Sequence, residues 1–73
     1  MNISKRLKEI RTLKNVTQKQ AARVLGVDER TYRRYELGEL DLSTANLTAL
    51  CQYFDVSSDY LLGLSDDINS EKR

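Results

Sequence analysis

Four charged residues at helical spacing carry the most suggestive chemistry in this sequence: Glu29, Arg30, Arg33 and Arg34. On a helix they face away from Tyr32 and Tyr35, so the tyrosines would anchor the segment while the charges meet solvent. An arginine guanidinium donates two parallel hydrogen bonds to guanine in the major groove of DNA, and a carboxylate accepts one from cytosine. Just upstream, Ala21, Ala22, Val24 and Leu25 form the apolar side of another short segment that ends at Gly26. Two helices crossing at a steep angle need a small residue where they touch, which Ala22 supplies, and a tight turn, which Gly26 allows. Val27 is then placed to plug the gap under the turn.

Other chemistry is scarce. The 73 residues include no His and a single Cys51, which removes the commonest general base, any intramolecular disulfide and the usual zinc ligands. Cys51 shares an apolar stripe with Leu47 and Phe54 and reads as a core residue. These absences argue against an enzyme and predict neither metal nor cofactor. The apolar run Tyr60-Leu61-Leu62-Gly63-Leu64 is far shorter than the roughly 20 residues that span a bilayer. Met1 to Arg6 lead into a charged segment and not a signal-peptide core, so a cytoplasmic protein is expected.

The formal net charge of +1 conceals a strong polarity. Residues 1–34 hold ten of the twelve Lys and Arg against three acids, a net +7, while residues 35–73 carry a net −6. One end is suited to a polyanion and the other to solvent or a protein partner.

The elements needed to position the charges follow from periodicity. Ile3, Leu7, Ile10 and Leu13 or Lys14 predict a first helix over residues 3–14, capped by Ser4 or Asn2. Thr17, with Gln20 at the capping-box position, opens a helix over about 17–25 that Gly26 ends. Asp28 caps a third helix, about 28–37, stopped by Gly38. Ser43 caps a fourth, with Leu47, Leu50, Cys51 and Phe54 inward, and Ser57 or Ser58 starts a short fifth through Leu62. Tyr53 and Tyr60 fall at the core rim, and residues 65–73 form a polar tail. The expected class is all-α, with five helices around one core in a domain of residues 1–64.

This order of motifs resembles the lambda-repressor-like helix-turn-helix proteins of Cro and XRE type. The matching pieces are Arg6-Leu7-Lys8-Glu9-Ile10-Arg11, Val16-Thr17-Gln18, Ala21-Ala22 and Leu25-Gly26-Val27. They continue with Arg33-Arg34-Tyr35-Glu36-Leu37-Gly38 and end with the stretch from Phe54 to Gly63. The resemblance implies a sequence-specific regulator of transcription, a repressor of bacterial, phage or mobile-element origin. Its second helix would brace the backbone of double-stranded DNA and its third would enter the major groove. By that pattern Gln18, Glu29, Arg30 and Arg34 read bases, while Thr17, Lys19, Thr31 and Arg33 meet the backbone. Arg11 and Glu36 would form a structural ion pair.

One recognition helix covers too few base pairs to single out a site, so a homodimer, weak off DNA, is expected on a near-palindromic operator with half-sites roughly 34 Å apart. Its surface is expected around Val56, Ser57, Ser58 and Asp59, with Asp55 and Asp59 repelling across the axis. The chain stops soon after the helical domain, so no sensing or self-cleaving domain is expected. Departures from the family pattern are Tyr32 for Ile or Val, Leu37 for Asn, Glu39 for a basic residue and Leu42 for Pro. They predict fewer phosphate contacts after the third helix, and a Tyr32 hydroxyl that must reach the domain edge or a partner. The rival reading is a protein–protein adaptor, such as an antitoxin or anti-repressor, that uses the acidic half.

Overall fold

Helix boundaries in this chain are written in its cap residues. The computed structural model describes residues 3–64. Within them lie α1 (Ile3–Leu13), α2 (Gln18–Leu25), α3 (Glu29–Leu37), α4 (Thr44–Phe54) and α5 (Ser58–Leu61). Among the described residues no strand forms. Thr17, Asp28, Ser43 and Ser57 stand in extended conformation before α2 to α5 and accept from the backbone N–H of Gln20, Thr31, Asn46 and Tyr60. The Gln20 side chain returns the bond at 2.8 Å from the Thr17 backbone nitrogen, completing a capping box. Each such cap stabilises its helix by about 0.5–2 kcal/mol.

The helix exits share one geometry. The chain leaves them through a left-handed residue: Asn15 (φ 59°), Gly26 (70°), Gly38 (78°), Asp55 (60°) and Gly63 (80°). The next N–H then reaches back to a carbonyl five residues earlier. These bonds run Val16 to Arg11 (3.1 Å), Val27 to Ala22 (3.1 Å), Glu39 to Arg34 (2.9 Å), Val56 to Cys51 (3.1 Å) and Leu64 to Asp59 (2.9 Å). This closure belongs to the Schellman motif, in which the residue after the turn commonly packs on the one five before it. That residue is apolar at four of the exits; at α3 it is Glu39.

Leu7, Ile10, Ala21, Ala22, Tyr32, Tyr35, Leu50, Phe54, Val56 and Leu61 make the core. In it α2 packs on α3 and α4, α1 on α3 and α5, and α4 on α5. Ala22 is buried on α2, whose contact with α3 its small side chain keeps close, and Val27 packs on the core below the turn. Tyr32 is fully buried and meets Tyr35 edge-on, with ring centroids 6.3 Å apart.

Several expectations need correction. Leu13 is 67% exposed, because α1 ends there and its stripe is already complete with Leu7 and Ile10. Ser4 lies inside α1 and does not cap it, whereas Asn2 and the tail at 65–73 fall outside the described residues. Thr17 and Asp28 are the caps expected, whereas α5 stops at Leu61, one residue short. Tyr53 is exposed beside Phe54 and is not a rim residue. Replacing Ala22 with Leu inserts methylenes where α2 meets its neighbours, so Ala22→Leu should lower unfolding free energy by about 1–3 kcal/mol in urea titrations.

Candidate nucleic-acid interface

The exposed face of α3 rests on a buried carboxylate. Glu36, at the far end of α3, keeps only 3% of its side-chain surface, and Arg11 of α1 keeps 14%. Arg11 donates from Nε to Glu36 Oε2 at 2.5 Å and from Nη2 to Oε1 at 3.2 Å. The Tyr32 hydroxyl donates to Oε2 at 2.7 Å and the Gln18 amide to Oε1 at 3.1 Å. Arg11 Nη1 also holds the Val16 carbonyl at 2.8 Å, where the chain turns from α1 toward α2. Four donors thus occupy both carboxylate oxygens, from three helices.

Burial alone would push the Glu36 carboxyl up, but hydrogen bonds from Arg11, Tyr32 and Gln18 outweigh it and hold the group below the usual carboxylate range. The Arg11 guanidinium is raised, chiefly by its hydrogen bond to Glu36 and against its desolvation. Burial, then the bond to Glu36, drives the Tyr32 phenol well above an ordinary tyrosine. The Tyr32 hydroxyl therefore meets its partner inside the fold, on its own helix four residues away.

The opposite face of α3 is open. Glu29, Arg30, Arg33 and Arg34 are exposed there, and Thr31 is half-buried. Arg30, Thr31, Arg33, Arg34, Leu37 and Glu39 line a shallow concavity. Arg33 lies 3.5 Å from Glu29, one turn away, and Arg34 Nε lies 3.6 Å from Glu39. At the start of α2, Thr17 and Lys19 are exposed, while Gln18 is half-buried with its amide nitrogen turned to Glu36. Among the described residues no cluster of three or more His, Cys, Asp or Glu could hold a metal ion. No described helix is long and apolar enough to cross a membrane.

Comparison with known proteins bears on this arrangement. The family model described as helix-turn-helix matches residues 7–61. This chain belongs to the helix-turn-helix family. It is 38% identical over 71 residues to the HTH-type transcriptional regulator ImmR of Bacillus subtilis (strain 168), covering 97% of this chain and 55% of ImmR. It is 33% identical over 67 residues to the antitoxin PezA of Streptococcus pneumoniae serotype 4, covering 92% of this chain and 42% of PezA. The chain therefore spans about half the length of the curated relatives it matches. A crystal structure of the P22 c2 repressor with a synthetic operator superposes with a TM-score of 0.79 at 25% identity, covering 89% of this chain and 98% of that one. The fold is the lambda-repressor-like one, and the helix-turn-helix is α2, the turn at Gly26 and α3.

The expected pairing of Arg11 with Glu36 is present, whereas two contacts around the helix-turn-helix were not anticipated. Gln18 bonds Glu36, and Glu39 sits beside Arg34. The first has no sequence signal beyond the polar type of Gln18; the second follows from the five-residue step across a left-handed exit. The residues expected at a dimer surface differ in exposure, Ser58 being exposed and Asp59 half-buried. Val56 and Ser57 each keep 6% of their surface, because Val56 packs in the core and Ser57 caps α5. Both still line a shallow surface together with Asp55 and Ser58.

Arg11→Met should cost about 1–3 kcal/mol in equilibrium unfolding, since Glu36 loses its cation but keeps Tyr32 and Gln18. Tyr32→Phe tests the phenol through pH. A phenol raised in the folded state adds stability below the unfolded value, about 10, and loses it as pH rises toward the folded value. The stability advantage of wild type over Tyr32→Phe should thus be constant from pH 7 to 9 and shrink above pH 10, measured by denaturant titration.

Proposed function

We propose that this chain is a binding module that recognises specific double-stranded DNA and represses transcription, with α3 in the major groove. The observation that carries the reading is the exposed basic face of α3, Arg30, Arg33 and Arg34, held outward by the buried anchors Tyr32, Tyr35 and Glu36. A rigid helix with three guanidiniums on its free side suits both phosphate attraction and guanine readout. Family membership and the likeness to an operator-bound repressor support the same reading.

In this reading Arg30, Arg34 and Glu29 read bases, and Gln18 joins them from the N-terminus of α2. Thr17, Lys19, Thr31 and Arg33 meet the backbone. One recognition helix covers only a few base pairs, so two copies on a near-palindrome are proposed as the working unit. Support for a site on the C-terminal side is a shallow surface lined by Thr48, Gln52, Asp55 and Ser58, to which the largely buried Val56 and Ser57 contribute a small share. Acids at that seam would keep the dimer weak without DNA. A second reading, a protein–protein adaptor, draws support from the similarity to PezA and from the acidic second half of the chain.

Selection of bound duplexes from a random pool separates these readings. A DNA-binding regulator enriches one motif with two-fold symmetry, and two chains bind per site in ultracentrifugation; an adaptor enriches nothing. Arg34→Ala should relax the motif at one position per half-site, losing about 1–3 kcal/mol of preference. Lys19→Ala should weaken all sequences alike, because phosphate contacts carry no base information. The opposite pattern would reverse these two roles.

A further inference from the structure

We propose that Glu39, just beyond the end of the recognition helix, sets how strictly Arg34 discriminates between bases and phosphate; this rests on the DNA-binding reading above. At the exits of α1, α2, α4 and α5 the residue after the left-handed turn is Val16, Val27, Val56 or Leu64. At α3 alone among these five exits it is charged, and it faces a residue of opposite charge, Arg34. The backbone holds the two side by side: Gly38 is left-handed, and Glu39 N–H donates to the Arg34 carbonyl at 2.9 Å. Glu39 Oε1 then stands 3.6 Å from Arg34 Nε.

The carboxylate lies on the Nε side of the guanidinium. A guanidinium has five N–H donors in a fixed fork, so a partner at Nε leaves terminal N–H groups for a guanine edge. The same carboxylate offers Arg34 an anion before any phosphate does, and it repels a phosphate that approaches the guanidinium from that side. Guanine keeps its two acceptors for the free edge, whereas a phosphate must displace or tolerate Glu39. The acid therefore lowers affinity for all DNA, and least for the guanine-containing site. Both side chains are about half exposed, 50% for Arg34 and 57% for Glu39, so the effect is on the scale of a surface pair.

The test compares wild type, Glu39→Gln and Asp41→Asn, the last being an exposed acid in the same loop that gives the same change in net charge. Each protein is titrated with the wild-type selected duplex and with a scrambled duplex of equal length at several salt concentrations. Thermal melting of each variant confirms that the fold is intact. For Glu39→Gln, scrambled-duplex affinity should rise more than selected-duplex affinity, so that their ratio falls about two- to fivefold. The salt slope on scrambled DNA should steepen by about one ion, as Arg34 gains a phosphate. Asp41→Asn should raise both affinities in proportion and keep the ratio. If Glu39→Gln behaves like Asp41→Asn, or leaves ratio and slope unchanged, the role of Glu39 is overturned while DNA binding stands. If wild type selects no sequence at all, the DNA-binding reading fails first, in an arm that contains no variant.

Discussion

A carboxylate taken out of water must find a donor for nearly every lone pair, and Glu36 satisfies that demand from three helices at once. Arg11 supplies the charge, Tyr32 locks the acid to its own helix, and Gln18 brings the first turn of α2 to the same point. The Arg11 fork also grips the chain at Val16, so the α1–α2 corner is tied to α3 by the same side chain. Ten apolar side chains drive collapse, but they leave helices free to rotate and slide. The directional bonds at Glu36 select one arrangement of α1, α2 and α3, and with it the direction in which the free face of α3 looks.

That face is itself constrained by its neighbours. Glu29 and Glu39 stand beside Arg33 and Arg34, so the surface is a set of oriented cations more than a bare positive patch. Surface pairs of this kind contribute little to folding. Their effect lies in where the guanidinium edges point, which is a matter of recognition.

Much of this was legible in the sequence, for identifiable reasons. Thr17, Asp28, Ser43 and Ser57 announce helix starts because a short oxygen-bearing side chain before an apolar period has one good use. Gly26 and Gly38 announce stops because a left-handed residue is costly for most side chains. Asn15 and Asp55 fill the same role less visibly, since both also suit ordinary turns. Arg11 and Glu36 were paired only through family resemblance; nothing local links residues 25 apart. The Leu13 error came from extending a period past its end, where solvent and not the core receives the side chain. The burial of Val56 was not legible because it closes the core under the exit of α4, a role that depends on tertiary packing. Gln18 escaped for a similar reason, since its partner lies at the far end of the next helix, 18 residues on.

The packing order of the helices has a kinetic meaning. Most neighbours in space, α1 excepted, are close in sequence, and every corner is short. A topology of this type folds quickly, because little loop entropy is lost before contacts form. Among the described residues the seam between α1 and α5, where Arg6 lies 4.4 Å over the Tyr60 ring, joins the two ends of the domain. Opening that seam disturbs α5, the shortest helix, while α2 and α3 stay clasped across Ala22 and Gln18. In the language of local unfolding, α5 is expected to open first, so its amide protons should exchange with solvent before those at the centre of α3.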